Sequence, residues 1–212
     1  MNVWVEILFR VAEASRCLFF RKDFHLGLMS NTSKTAIGAL MTALSVVILF
    51  PTALEIFVYA LPLFAGIITA IAVAEMGKNW AAAIYFATSI ISLIVVPNKE
   101  AVIMYVAFFG YYGIIKSILE SNFPKVPEYI LKFLIFNASV IIASIVTMKV
   151  LGLTFYEYME IDGTKPWVKF AVPLMLGTAN IGFLLFDFLI SRVVTIYMLK
   201  WRKRIHKMFR FK

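Results

Sequence analysis

The 212-residue sequence is 62% hydrophobic and only 16% charged, with a mean hydropathy of +0.87. Soluble domains are about half apolar and about a quarter charged, so this composition excludes an ordinary soluble domain and fits a single bundle of membrane helices. The formal charge is +9, and the one cysteine, Cys17, cannot form a disulfide within the chain.

Residues 1–32 read as a charged amphipathic segment. Glu6, Arg10, Glu13 and Arg16 recur at helical spacing and share one face, while Ile7, Leu8, Val11 and Leu18 fall on the other. Two arrangements fit: a helix lying on the membrane surface, or one packed against the bundle. The charges interrupt the apolar run and no small-residue cleavage site follows, so a secretory signal is not expected.

Residues 33–199 read as an all-α membrane domain of about six transmembrane helices. Polar punctuation places the spans at about 35–50, 54–76, 80–96, 101–119, 129–151 and 167–190. Pro51, Gly77-Lys78-Asn79, Pro97-Asn98, Pro124 and Pro127 separate them. The longest connection is 152–166, with a turn at Asp162-Gly163. Residues 200–212 form a basic tail. There Trp201, Ile205 and Met208 interleave with charge at helical spacing, which fits a helix on a membrane surface, the alternative being a disordered tail.

Basic residues set the orientation. With both tails and the turns after the second and fourth spans inside, 17 of the 21 Lys and Arg are cytoplasmic. Only Lys99, Lys149, Lys165 and Lys169 are then outside. The net charge thus reads as a topology signal and an attraction to anionic lipid, not as a nucleic-acid footprint. The expected location is the prokaryotic cytoplasmic membrane, multi-pass, with both termini cytoplasmic.

Membrane catalysis would need a nucleophile, an acid/base pair or a metal site within the bundle. The only histidines, His25 and His206, lie in the tails. There is no His-Glu-x-x-His, no Gly-x-Ser-x-Gly and no Gly-rich phosphate loop. The sequence therefore reads as non-enzymatic, with no cofactor and no metal.

The polar groups sort by depth. Glu75 with Lys78, Lys116 with Glu120, and Asp187 near Arg192 read as structural groups near the inner face. Asn137 and Asn180 lie deeper and suit a hydrogen bond between helices. The outward loops carry both charge signs and aromatics above an apolar bundle, which is the composition of a small-molecule pocket. The candidate substrate-binding residues are Glu55, Asn98, Lys99, Glu100, Tyr156, Glu160 and Trp167. Lys99 and Glu100 together could fix a zwitterionic ligand. The competing reading is a solvated rim with interface-anchoring aromatics. Ala39 and Ala43 in the first span let another helix approach closely, either a partner's or one of the same bundle.

Ala39-Leu-Met-Thr-Ala43 matches an Ala-x-x-x-Ala docking motif. With Leu61-Pro-Leu-Phe-Ala-Gly66, Val96-Pro-Asn-Lys-Glu100, Phe108-Phe-Gly-Tyr-Tyr112 and Asn180-Ile-Gly-Phe183, it makes residues 33–200 resemble the membrane-embedded S component of an energy-coupling factor (ECF) transporter. That resemblance implies a six-helix subunit binding a vitamin or similar micronutrient near the outer face. It also implies partners: a transmembrane T component, docked at Ala39 and Ala43, and two cytoplasmic ATPases. The outer-loop residues match no particular substrate class, and the charged N-terminal segment is longer than such a subunit needs. The main alternative is a non-transport scaffold or partner-docking subunit of a cell-envelope complex. A lipid-modifying enzyme would have to use Glu55, Glu100 or Asp187, and no second catalytic partner is evident.

Overall fold

The structure, a computed structural model, describes residues 30–55, 57–152 and 168–201. The described residues form an all-α bundle with no strand. Helix α1 spans Asn31–Leu49, and Ser30 caps it by accepting a hydrogen bond from Ser33 N at 3.2 Å. A 3-10 turn, Phe50–Leu54, follows with Pro51 in its first turn. Helix α2 is Ala60–Met76 and α3 is Lys78–Val95. Helix α4 runs Lys99–Asn122, widened by a π turn at Tyr105–Phe109. Helix α5 is Lys125–Leu151. Helix α6 is Val168–Ile196 and continues as a π turn, Tyr197–Trp201.

Five of these segments are long and apolar enough to cross a membrane, and α2 is a shorter apolar helix of 17 residues. The chain is a multi-pass membrane protein. Its outward surface confirms the solvent: Leu40, Val47, Ile94, Ile130, Leu134, Leu174 and Leu185 are all exposed. In water such a surface would aggregate, whereas in lipid it costs nothing.

Three helix starts differ from expectation. Helix α1 begins at Asn31 rather than near 35, with Ser30 as its cap. Helix α2 begins at Ala60 rather than near 54, because Glu55 (φ 58°) and Phe57 (φ 54°) take left-handed backbone that no helix accepts. Helix α5 begins at Lys125 rather than near 129. Pro124 precedes it, and Pro127 sits in the first turn, where its missing N–H has no helical partner to lose.

Short connections make α1 to α4 alternate in direction. One end of the bundle gathers the end of α1, the start of α2, the end of α3 and the start of α4; it is the loop end. Asn98 ties it together, its Nδ2 donating to Thr52 O at 3.2 Å. The opposite, tail end carries Tyr197 donating to Glu75 Oε1 at 2.9 Å.

Helix α2 is the central element, buried from Ala65 to Ala70 and from Ala72 to Met76. It lies close to α4 because two glycines allow it. A Cβ on Gly66 would collide with the backbone carbonyl of Phe109, and one on Gly113 would come within 2.8 Å of Ala70 Cα. Helix α1 packs inward through Gly38, Thr42, Ser45 and Leu49. This small, partly polar stripe suits close helix contact in lipid, where burying apolar surface gives no drive.

Candidate functional site

The two ends of the bundle differ in chemistry. Toward the loop end, α2, α4, α5 and α6 line a half-open cavity of about 780 Å³. Its walls include Leu63, Met104, Met148 and Met175, and its floor is aromatic. Phe183 stacks on Phe136 with centroids 4.7 Å apart and planes at 15°, and Phe108 meets Phe136 edge-on at 5.0 Å. Phe108 and Phe109, both within the π turn of α4, line the cavity. Asn137 and Asn180 bond reciprocally at 3.0 and 3.1 Å, tying α5 to α6. Each also donates to the carbonyl four residues before it, Phe133 O and Leu176 O, so both amides are well satisfied.

Toward the tail end lies a buried cluster of charge from α4, α5 and α6. Lys116, Lys132 and Glu128 are each 1% exposed, and Glu120 and Asp187 are 7% exposed. Lys132 Nζ stands 2.7 Å from Glu128 Oε1, 3.0 Å from Glu120 Oε1 and 3.4 Å from Asp187 Oδ1. Lys116 reaches Glu120 at 3.0 Å and also pairs with Asp187. Tyr112 donates to Asp187 at 2.5 Å, and the Tyr129 ring lies 5.3 Å from Lys132 Nζ. Lys116 is about 9 Å along α4 from Asn122, so the cluster is well inside the bundle. Charges so placed persist only when paired.

The sequence-derived candidates fall at the loop end, with distinct roles. Asn98 caps α4 by accepting from Ala101 N at 3.0 Å while holding Thr52. Lys99 donates to Leu93 O at 2.8 Å and Val96 O at 3.0 Å, closing the end of α3. Glu100 accepts from Tyr59 at 2.8 Å, and Tyr59 is a cavity residue. Glu55 is exposed, in left-handed backbone, its N–H bonded to Thr52 O. Asn98, Lys99 and Glu100 are thus brought together with the start of α2. None of the four candidates in this stretch is among the cavity-lining side chains. Tyr156, Glu160 and Trp167 lie outside the described residues. Ala39 and Ala43 are exposed on the outer face of α1.

The cavity lining itself escaped sequence reasoning, as did the convergence of five charges. The i,i+4 spacing of Lys116–Glu120 and Glu128–Lys132 was the available signal. Asp187, amid Leu184, Leu185, Phe186, Phe188 and Leu189, was another. It turns to the lysines, while the Arg192 guanidinium lies 5.0 Å from the Phe188 ring. Among the described residues no group of His, Cys, Asp and Glu could hold a metal ion.

Comparison with protein-family models, with curated proteins and with solved structures returned no match.

Proposed function

We propose that this chain is the substrate-binding S component of an ECF-type ABC transporter that takes up a vitamin or similar small micronutrient. The observation that carries the reading is the cavity. Its lining lies toward the end that the distribution of basic residues assigns to the outside, where an uptake subunit must load. Both termini are then cytoplasmic, in a prokaryotic cytoplasmic membrane. The exposure of Ala39 and Ala43 supports the same reading, because a small-residue face turned away from its own bundle can receive a T-component helix. Glu100 stands at the cavity mouth through Tyr59. Two cytoplasmic ATPases provide the energy, and the chain itself performs no catalysis.

The alternative, a scaffold of a cell-envelope complex, does without a loadable cavity. A pull-down of the tagged chain from membranes in mild detergent separates the two. On the transporter reading, a T component and two ABC-type ATPases co-purify, and Ala39→Trp or Ala43→Trp lowers their recovery several-fold while the melting temperature holds. Recovery of envelope proteins without ATPases would favour the scaffold. Normal recovery with Ala43→Trp would move docking to another face.

A further inference from the structure

We infer that Tyr85, which does not itself line the cavity, is a positioning residue for the cavity's aromatic wall. Its hydroxyl fixes where the π turn of α4 sits, and the turn fixes where Phe108 and Phe109 stand. This goes beyond the substrate-binding reading above and holds whatever the cavity takes up.

In an unbroken α-helix the Gly110 N–H would bond to Val106 O, four residues back. Here it bonds to Tyr105 O, five residues back. Val106 O loses that partner and accepts instead from the Tyr85 hydroxyl of α3, at 2.9 Å. A backbone carbonyl left bare inside a membrane bundle is costly, so this bond stabilises the widened turn against the regular helix.

The neighbours are shaped to the same turn. The half-buried Tyr85 ring packs against both Tyr105 and Tyr111 of α4, with centroids 6.2 and 6.0 Å away. It fits there because residue 110 is glycine: a Cβ at Gly110 would come within 2.7 Å of the Tyr85 ring. From α2, Gly66 leaves room for the Phe109 carbonyl, which a Cβ at that position would strike.

The turn matters to the cavity because α4 is pinned on both sides of it. Asn98 caps the start and holds Thr52, while Tyr112 and Lys116 bond to Asp187. A π turn houses one residue more than an α turn, and one residue of register is about 100° of rotation. Closing the turn would therefore swing one pinned side out of place. The extra residue must stay between Asn98 and Tyr112, and only its position in that stretch is open. Tyr85 sets it at Tyr105–Phe109. Moving the turn along α4 would rotate the residues it passes, among them Met104, Phe108 and Phe109 of the cavity lining.

The test is nuclear magnetic resonance of the full chain in detergent. Phe109-Gly110 is the only Phe-Gly step in the sequence, so labelling phenylalanine carbonyls together with glycine nitrogens isolates a single signal, the Gly110 amide. A fluorinated phenylalanine placed at position 108 reports the wall through its fluorine resonance. The wild type should give one slowly exchanging Gly110 amide and one fluorine resonance. Tyr85→Phe removes only the hydroxyl; it should speed exchange at Gly110 about tenfold and shift or split the fluorine resonance. Tyr111→Phe is the control, because it removes a hydroxyl that pairs with Ser139 and does not touch Val106 O. It should leave Gly110 exchange within about twofold of the wild type and the fluorine resonance in place. Unchanged Gly110 exchange or an unmoved fluorine resonance in Tyr85→Phe overturns the inference and leaves Tyr85 a packing residue. Equal effects from Tyr111→Phe overturn it too, by showing a general loosening of α4. The transporter reading fails separately, through absence of the ATPases in the pull-down with these signals unaltered.

Discussion

The cavity and the charge cluster are built on the same three helices, α4, α5 and α6, yet they solve opposite problems. At the loop end the helices leave space and line it with groups that need no partner. At the tail end they close on one another and bring together groups that tolerate nothing but a partner. Tyr112 joins the two regions. Its ring packs at 4.9 Å from Phe108 of the cavity floor, while its hydroxyl bonds to Asp187. The contrast teaches where this bundle gets rigidity. In lipid, apolar contact between helices gains little over contact with acyl chains, so the sealed end must be held by charge and hydrogen bonding. The loop end, where the cavity lies, can then be left loosely filled.

The largest expected effect comes from breaking the cluster. Lys132→Met leaves Glu128 and Glu120 facing each other without their shared cation. Removing one partner of a buried ion pair costs about 3–5 kcal/mol, because a buried charge is stranded. Thermal unfolding in detergent should show a large loss of stability, and adding Glu128→Leu should restore part of it. A Lys132→Met variant as stable as the wild type would mean that this end is hydrated, and the contrast between the two ends would collapse.

Much of the scaffold was legible in the sequence because lipid imposes one rule: long apolar runs become helices, and proline and glycine punctuate them. Three of the quoted motifs turn out to sit at junctions. Gly66 permits the close approach of α2 and α4, Asn98 caps α4, and Asn180 pairs across to α5. The site was less legible, for a physical reason. Sequence marks where a charged residue is, but not whether its charge is spent on the backbone. Lys99 looked available on composition and is engaged with two carbonyls at the end of α3. The cavity lining is made of Phe, Met, Ala and Ser, residues that read as packing anywhere in an apolar chain. The left-handed turn at Glu55 and Phe57, unusual for residues other than glycine, left no local signal either.

A smaller effect tests the loop-end side of the comparison. Asn137 and Asn180 satisfy each other at a waist between α5 and α6, level with the cavity lining. Hydrogen bonds between membrane helices average about 0.6 kcal/mol and reach about 1.7. Asn137→Leu alone should cost about 1 kcal/mol and leave the Asn180 amide short of a partner. Asn137→Leu with Asn180→Leu should cost less than the two single changes together. A double-mutant cycle on unfolding in detergent measures this coupling. Additive losses would mean that each amide is held by its own helix carbonyl and that the waist is not a clasp.

The smallest effect is expected at the cavity rim and decides how Lys99 is used. Its ammonium donates to Leu93 O and Val96 O, the unpaired carbonyls at the end of α3, and it is only half-buried. A cation at a helix C-terminus contributes about 0.3–1 kcal/mol. Lys99→Met should therefore lower stability by no more than that, measured by thermal unfolding. The expectation follows from one geometry: the ammonium is turned to the backbone of α3 at a half-exposed rim, and no buried charge is stranded when it is removed. A loss of about 3 kcal/mol or more, the cost of breaking a buried ion pair, would reverse the assignment and make this rim the counterpart of the tail-end cluster instead of its contrast.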